Sequence, residues 1–462
     1  MLSLLDVKAN IVAPLDPDFC PAILAVRAYQ KAVLNSEKVP LIIALESSNG
    51  HISRWEEDIL ALGTGHDADT LRYVERLVKF LLWARGGWKI YIGGPPRIGE
   101  YIRDCYAERG DRFFDSQLMN RIYNKPLEVV VTTPDNVPGS NESEMPLGGH
   151  QKGCRIGFDL GASDYKLAAV KDGELLYSDE IPWNPKDEPD PAYHYNHIQS
   201  GLEKAASYLP HVDAIGGSAA GVYVKNKPMV ASLFRSVPEE DFEEKVKPIF
   251  VRLQEKWNVP FDIINDGEVT ALAGALSLNK NGMLGIAMGS SQAAGFLNRA
   301  GDITGWLNEL AFAPVDFNPQ AVADEWSGDA GVGVMYFSQQ AVNKLALAAG
   351  LTFPSDMELP ERLKSVQEKA NQGDETAEKI FETIGVYLGY TLPYYAMFYE
   401  YDNLLILGRV TSGRGGEIIV DKARDILKEE FPEWAQDVVL HVPDEKSRRV
   451  GQAVAAASLP VV

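Results

Sequence analysis

Residues 155–176, RIGFDLGASDYKLAAVKDGELL, decide how this chain is read. An apolar strand runs into Asp159, a tight turn containing Gly161 follows, and a second strand leaves from Lys166. Such a turn would present backbone N–H groups and the Ser163 hydroxyl to the β- or γ-phosphate of a nucleotide, and Gly161 would let the backbone approach closely. Asp159 would face a Mg²⁺ ion through water, since that ion keeps much of its hydration shell. Taken alone, the stretch reads first as an ordinary hairpin with an aspartate in its turn.

Three stretches downstream bear on the choice. In PFDIINDGEVTALAGALSL, residues 260–278, an apolar strand delivers Asn265 and Asp266 to its tip and a small-residue helix follows at once. An aspartate there is placed as a general base on a substrate hydroxyl, or simply as the helix N-cap. In GMLGIAMGSSQAAGF, residues 282–296, a strand enters Gly289, Ser290 and Ser291 and a second strand leaves, which makes another candidate phosphate hairpin. In YDNLLILGRVTSGRGGEII, residues 401–419, a strand ends in Gly408 before a glycine-rich turn and a helix, a turn able to carry the adenosine of a nucleotide.

Around these motifs the chain alternates strand and helix, which implies a layered α/β architecture. Residues 134–153, PDNVPGSNESEMPLGGHQKG, have linker composition and no apolar periodicity. Before them, Leu41–Leu45 and Trp88–Ile92 read as strands, and LRYVERLVKFLLWARGG between them reads as a helix with a Gly-Gly stop. The ALESSNG and KIYIGGPPRIGEYI segments echo the phosphate and adenosine turns. The N-terminal segment is therefore either a small α/β domain packed on the rest or a degenerate half-copy of it, and the first is expected.

Composition closes off several classes. The chain has 462 residues, 45% apolar and 24% charged, with a net charge of −21. So many carboxylates repel nucleic-acid backbones and anionic lipid, and no basic recognition helix is visible. Cys20, Cys105 and Cys154 are too few and too scattered for a disulfide framework or a cysteine zinc site, which suits a reduced cytoplasmic setting. No apolar run reaches the roughly 18 residues of a membrane helix. His194 and His197, spaced i, i+3, read as packing residues because no third ligand is near.

In order and in combination, strand-DLGAS, GSAAGVYV, NDGEVTALAGAL, GIAMGSSQAAGF, GWLNEL and LLILG resemble the ROK family of sugar kinases and sugar-responsive repressors, within the actin and hexokinase superfamily. The resemblance spans residues 155 to about 458. It implies a two-lobed, ribonuclease H-like ATPase fold with ATP and Mg²⁺ in the cleft. The expected layout is an N-terminal α/β domain over 1–135, a linker over 136–153, a first lobe over 154–268 joined by a C-terminal helix at about 445–462, and a second lobe over 269–444.

Position by position, the resemblance makes Asp159, Gly161, Ser163 and Lys166 the first phosphate site, Gly289, Ser290 and Ser291 the second, and Gly408 the adenosine turn. Asp266 becomes the base that takes the proton from the attacking sugar hydroxyl. Asn265 and Glu309 hold the sugar, and Gly221 sits in the turn that lines its pocket. Glu268, where the family favours small residues, is an added carboxylate that would raise the pKa of Asp266 or contact a polar substrate. Phe312 stands where the family carries a zinc- and sugar-binding histidine, the CxCGxxGC cluster is missing, and Ala162 replaces the second loop glycine. These departures leave the sugar open and raise a second reading, a sugar- or nucleotide-sensing scaffold without catalysis. Family members are often dimers, so a homodimer is a further expectation.

Overall fold

The computed structural model describes residues 3–142, 144–161, 164–442 and 445–462. Three sheets organise it. The N-terminal sheet runs in the order Ile52–Leu60, Lys38–Glu46, Lys89–Gly93, Glu128–Thr132, with a parallel pair only at the last step. The first-lobe sheet runs Phe261–Asn265, Ala214–Ala219, Cys154–Leu160, Asp164–Lys171, Glu174–Pro182, its first three strands parallel and the rest an antiparallel meander. The second-lobe sheet runs Gln292–Leu297, Met283–Met288, Asn403–Leu407, Val439–His441, antiparallel at the first step and parallel thereafter.

The central parallel strands Cys154–Leu160, Ala214–Ala219, Met283–Met288 and Asn403–Leu407 are apolar runs buried almost throughout, as strands covered on both faces must be. Every residue from Cys154 to Leu160 is buried. The chain's last helix, Glu445–Ala457, returns to the first lobe and lies directly on this sheet. Gly157 and Gly216 make that possible, since a Cβ on either would sit 1.7 Å from the carbonyl oxygens of Ala453 and Ala456. The helix Asp266–Leu278 connects the lobes, and its small residues let Gly267 pack against the backbone of Ala294.

The N-terminal segment is not a bead on a linker. Its side chains, from Leu5 to Ile122, belong to one hydrophobic core with second-lobe residues as far as Leu440. At its centre is the helix Asp67–Arg85, in which every residue from Tyr73 to Ala84 is buried, the pattern of a helix covered all round. A charge network seals the junction. Lys79 Nζ lies 2.7 Å from Asp115 Oδ2 and 2.5 Å from Asp329 Oδ2, and Arg112 joins Asp329 to Glu75. Lys79 and Asp115 are wholly buried.

The half-copy idea fails on strand direction. The N-terminal and second-lobe sheets share a ladder order, but Lys89–Gly93 runs antiparallel to Lys38–Glu46, whereas Asn403–Leu407 runs parallel to Met283–Met288. The stretch with linker composition is laid along the body. Asn141 bridges Ile52, Met145–Pro146 pairs with Asp302–Ile303, and Trp306 Nε1 donates to Glu142 Oε1 at 2.9 Å. His194 is fully buried and bonds the Pro185 carbonyl at 2.9 Å, a packing histidine. Among the described residues no helix is long and apolar enough to cross a membrane.

Candidate active site

Five parallel strands from two sheets point their C-terminal ends at one cleft, the position where open α/β sheets bind ligands. Cys154–Leu160 delivers Asp159, Ala214–Ala219 leads to Gly221, and Phe261–Asn265 leads to Asp266. Across the cleft, Met283–Met288 ends at Gly289 and Asn403–Leu407 ends at Gly408. Asp159 and Asp266 sit two strands apart, so their backbones are separated by about 10 Å at the usual strand spacing.

Asp159 is 4% exposed. Its Oδ1 accepts from Ser218 Oγ at 2.8 Å and its Oδ2 from Lys166 Nζ at 3.2 Å, its register partner across the hairpin. Burial pulls the Lys166 ammonium pKa down, but the Asp159 and Asp164 carboxylates outweigh it and hold it above the ordinary value. The turn is closed by Gly161 N–H donating to the Asp164 carbonyl at 3.0 Å. Arg409, just after Gly408 in the other lobe, pairs with Asp164 at 2.7 Å, so the two lobes touch at the cleft mouth. Ser163, expected in this turn, lies outside the described residues.

Asn265 resolves the ambiguity at the second motif. Its Oδ1 accepts from Gly267 N at 2.7 Å, so Asn265 is the N-cap and Asp266 the first residue of the helix. Asn265 Nδ2 donates to the Gly221 carbonyl at 2.7 Å and to Glu309 Oε1 at 3.4 Å. Gly221 turns at φ 118°, where a Cβ would strike the Val230 carbonyl at 2.4 Å. The Asp266 carboxylate lies at the same helix start, where the backbone N–H groups of Gly267 and of Asp266 itself favour its charged form. Burial, then the nearby Asp159, push its pKa up to about 7. Glu309 is pushed to about 8 by burial, Asp266 and Glu268, and Glu268 to about 7 by burial. The charge of Glu268 is thus felt at Glu309, and Glu268 is not among the cavity-lining residues.

The second loop is held from behind. Gly289 N–H donates to the Ser291 carbonyl at 2.9 Å, and Gln339 N–H to the Gly289 carbonyl at 2.9 Å. Gly408, at φ 109°, packs on Met288, where a Cβ would come within 2.4 Å of the carbonyl oxygen. Ser290 and Ser291 are exposed, and a Cβ on Gly289 would meet nothing closer than 3.7 Å, so the loop face is open to a ligand. This set fits a magnesium nucleotide. Small hydroxyl-bearing turns suit phosphates, while carboxylates such as Asp159 and Asp266 repel phosphate oxygens unless a hard cation lies between them.

A cavity of ≈ 390 Å³ joins these parts, lined by Gly221, Asn265, Asp266, Glu309 and the Gly289–Ser291 loop. Its third wall is the N-terminal segment, through Trp83, Leu118 and Ile122, which sequence reasoning misses. The contact is also a mechanical one. The carbonyls of Trp83 and Ala84, near the C-terminal end of their helix and free of intrahelical donors, accept from Glu309 N (3.0 Å) and Asn308 N (2.9 Å). Phe312 packs on Trp83 with ring centroids 4.5 Å apart.

No family model matches the sequence, and no curated protein does. Solved structures do. A ROK family glucokinase from Streptomyces griseus, in complex with glucose and AMPPNP, aligns with a TM-score of 0.53 at 18% identity, over 67% of this chain and 99% of that one. A ROK family transcriptional regulator, a homologue of the E. coli MLC protein, aligns with a TM-score of 0.53 at 18% identity, over 66% and 78%. A ROK hexokinase from Thermus thermophilus gives 0.50 at 17% identity, over 66% and 97%. Two-thirds of this chain, the share that residues 155–458 represent, therefore has the actin-like ROK family fold.

Proposed function

We propose that this chain is an ATP- and Mg²⁺-dependent kinase that phosphorylates a hydroxyl of a sugar or sugar-like polyol. The observation that carries the reading is Asp266. It follows the N-cap Asn265 as the first helical residue, has its pKa raised to about 7, and is set in the same cavity as the open Gly289–Ser291 loop. A base on an alcohol works best with a pKa near the working pH.

In this reading Asp266 accepts the proton of the attacking hydroxyl, and Asn265 and Glu309 fix its neighbours. The loops at Gly161 and Gly289–Ser291 hold the phosphates in line, with Gly408 beneath the adenosine. Mg²⁺ held beside Asp159 would supply the charge neutralisation that phosphoryl transfer needs. Lys166, paired with Asp159 in this structure, is placed to answer phosphate charge as well. Most of the acceleration comes from positioning and preorganised charge, so a rigid cleft suffices.

One observation favours a second reading. Phe312 occupies the position that the resemblance assigns to a sugar-binding histidine, and the fold also serves a transcriptional regulator. A ligand sensor on the same cleft would bind sugar or nucleotide without turnover.

The deciding experiment is ADP release from Mg·ATP with pooled sugars, amino sugars and polyols. Asp266→Asn should lower kcat by about 10²- to 10⁴-fold, the usual worth of a general base, and leave nucleotide binding intact. Wild-type activity should rise with pH through about 7, as Asp266 loses its proton. An Asp266→Asn protein with wild-type turnover overturns the assignment, and nucleotide binding with no stimulated release favours the sensor.

A further inference from the structure

At the end of the first-lobe sheet away from the cleft lies a cluster that the kinase chemistry does not use. Cys154 opens the strand Cys154–Leu160, and Asp213 stands just before the parallel strand Ala214–Ala219, where Arg155 pairs with Ala214. The two residues are therefore neighbours at the sheet's N-terminal edge, bonded in both directions. Asp213 N–H donates to the Cys154 carbonyl at 2.7 Å, and Cys154 N–H donates to Asp213 Oδ2 at 2.7 Å. His211 brings its Nε2 to 3.2 Å from the same Oδ2. Gly153, at φ 88°, leaves the room for this, since a Cβ there would lie 2.7 Å from Asp213 Oδ2. The Cys154 Sγ, a His211 ring nitrogen and an Asp213 carboxylate oxygen all lie within 4.8 Å of one another.

A thiolate, an imidazole and a carboxylate are the donors of a borderline-soft ion such as zinc, with bonds of about 2.3 Å to sulfur and about 2.0–2.2 Å to nitrogen and oxygen. Tetrahedral angles at such an ion set its donors about 3.4–3.6 Å apart. The His211–Asp213 pair already has nearly that spacing, and the His211 side chain, 63% exposed, is free to swing toward the sulfur. Both other residues have a donor to give. Cys154 is a free, buried cysteine whose Sγ makes no hydrogen bond among the described residues, and neither does Asp213 Oδ1. Along the strand, Cys154 stands about 17 Å from Asp159, so one ion cannot serve both places. Magnesium, a hard ion that takes oxygen ligands, has no use for the thiolate.

We propose that Cys154, His211 and Asp213 bind one zinc-type divalent ion, with water completing its coordination on the exposed side. Three protein ligands and an open fourth position make an exchangeable site, unlike the closed four-ligand shell of a structural zinc. The scattering of the cysteines along the sequence argues against a cysteine cluster and has no bearing on a mixed site, whose donors come from two adjacent strand starts. The ion ties the segment that follows the helix Pro191–Ala206 to the first strand of the lobe. Its binding owes nothing to the kinase reading and stands or falls separately from it.

The test uses the full chain, freed of metal by a chelator and kept reduced. Zn²⁺ is titrated in competition with a chromophoric chelator, and Co²⁺ is added to a second sample for its absorption spectrum. One equivalent of Zn²⁺ should bind. His211→Ala, a change at an exposed side chain, should weaken binding by about 10- to 100-fold, since losing even an outer partner costs a metal site that much. Co²⁺ should give a near-ultraviolet thiolate charge-transfer band that Cys154→Ser abolishes. Zn²⁺ should also raise the wild-type Tm, and raise that of His211→Ala less at the same concentration. No stoichiometric binding, equal affinity in wild type and His211→Ala, or a Co²⁺ spectrum without the thiolate band overturns the proposal. A band that persists in Cys154→Ser assigns the metal to Cys20 or Cys105 and overturns it too. If Cys154→Ser does not fold, the wild-type band and its weakening in His211→Ala decide.

Discussion

Glu309 offers a measurement on the cleft that needs no substrate. Its carboxyl is pushed from 4.5 to about 8 by burial and by Asp266 and Glu268. A folded-state pKa above the unfolded one means that the folded protein holds the proton more tightly. The stability this contributes is complete below about pH 4.5 and is lost as pH rises through about 8. At about 1.36 kcal/mol per unit, the full shift corresponds to roughly 5 kcal/mol for a carboxyl sealed from water. Glu309 is only partly buried and faces a cavity that water can enter, so about 1–3 kcal/mol is the expected effect. Glu309→Gln removes the charge and keeps the Oε1 that accepts from Asn265. In urea denaturation the variant should match wild type at about pH 5 and exceed it by about 1–3 kcal/mol at about pH 8.5. The three carboxylates titrate as a group, so the wild-type loss should be spread over more than one pH unit. A variant that loses stability with pH as steeply as wild type, or that is weaker at the alkaline end, would refute the claim that like charges crowd this cleft.

Two further predictions concern the scaffold. Gly408→Ala places a Cβ within 2.4 Å of the Met288 carbonyl at φ 109°, whereas Gly305→Ala, at φ 68°, meets nothing within 4 Å. The first should lose roughly 1–3 kcal/mol and weaken nucleotide binding, while the second should lose less than about 1 kcal/mol; equal melting temperatures for the two would refute the assignment of Gly408 as a required glycine. Lys79→Met leaves Asp115 buried without its cation and Asp329 with Arg112 alone, and should destabilise by about 3–5 kcal/mol. Proteolysis should then find new cleavage in the N-terminal segment and the second lobe together, and a variant resistant in both would show that the network does not join them.

Much of this molecule is legible because its signals are local. The Met283–Met288 strand falls where an unbroken apolar run ends in Gly289, and Asp159 ends its strand where the small-residue turn begins. Asp266 shows the limit of local reading. Its sequence neighbourhood permits base or cap, and only the 2.7 Å bond from Gly267 N to Asn265 Oδ1 assigns the cap elsewhere. The Ile52–Leu60 strand, ISRWEEDIL, is harder still. Glu56, Glu57 and Asp58 interrupt its apolar residues, and pairing along the whole of Lys38–Glu46 makes them a strand. Glu57, whose pKa is pushed up to about 7 by burial, is accepted there because Tyr73 Oη donates to it.

The third wall of the cavity is illegible for a different reason, and the reason ties the N-terminal segment to the chemistry. Trp83 reads as one more apolar residue in a buried helix, and nothing near it in sequence says that its carbonyl accepts from Glu309 N. Phe312 reads as a lost histidine. In the fold these are one feature, since the two rings pack at 4.5 Å and Phe114 closes the far side at 5.6 Å. Phe312 is 8% exposed and packs between Trp83 and Phe114, surroundings in which a phenylalanine ring is simply buried and an imidazole would need a hydrogen-bond partner. The phenylalanine and the N-terminal segment are thus packed as one unit. The segment that packs Trp83 on Phe312 also fixes the backbone of Asn308 and Glu309, so the pocket's chemistry and its architecture meet at one helix end.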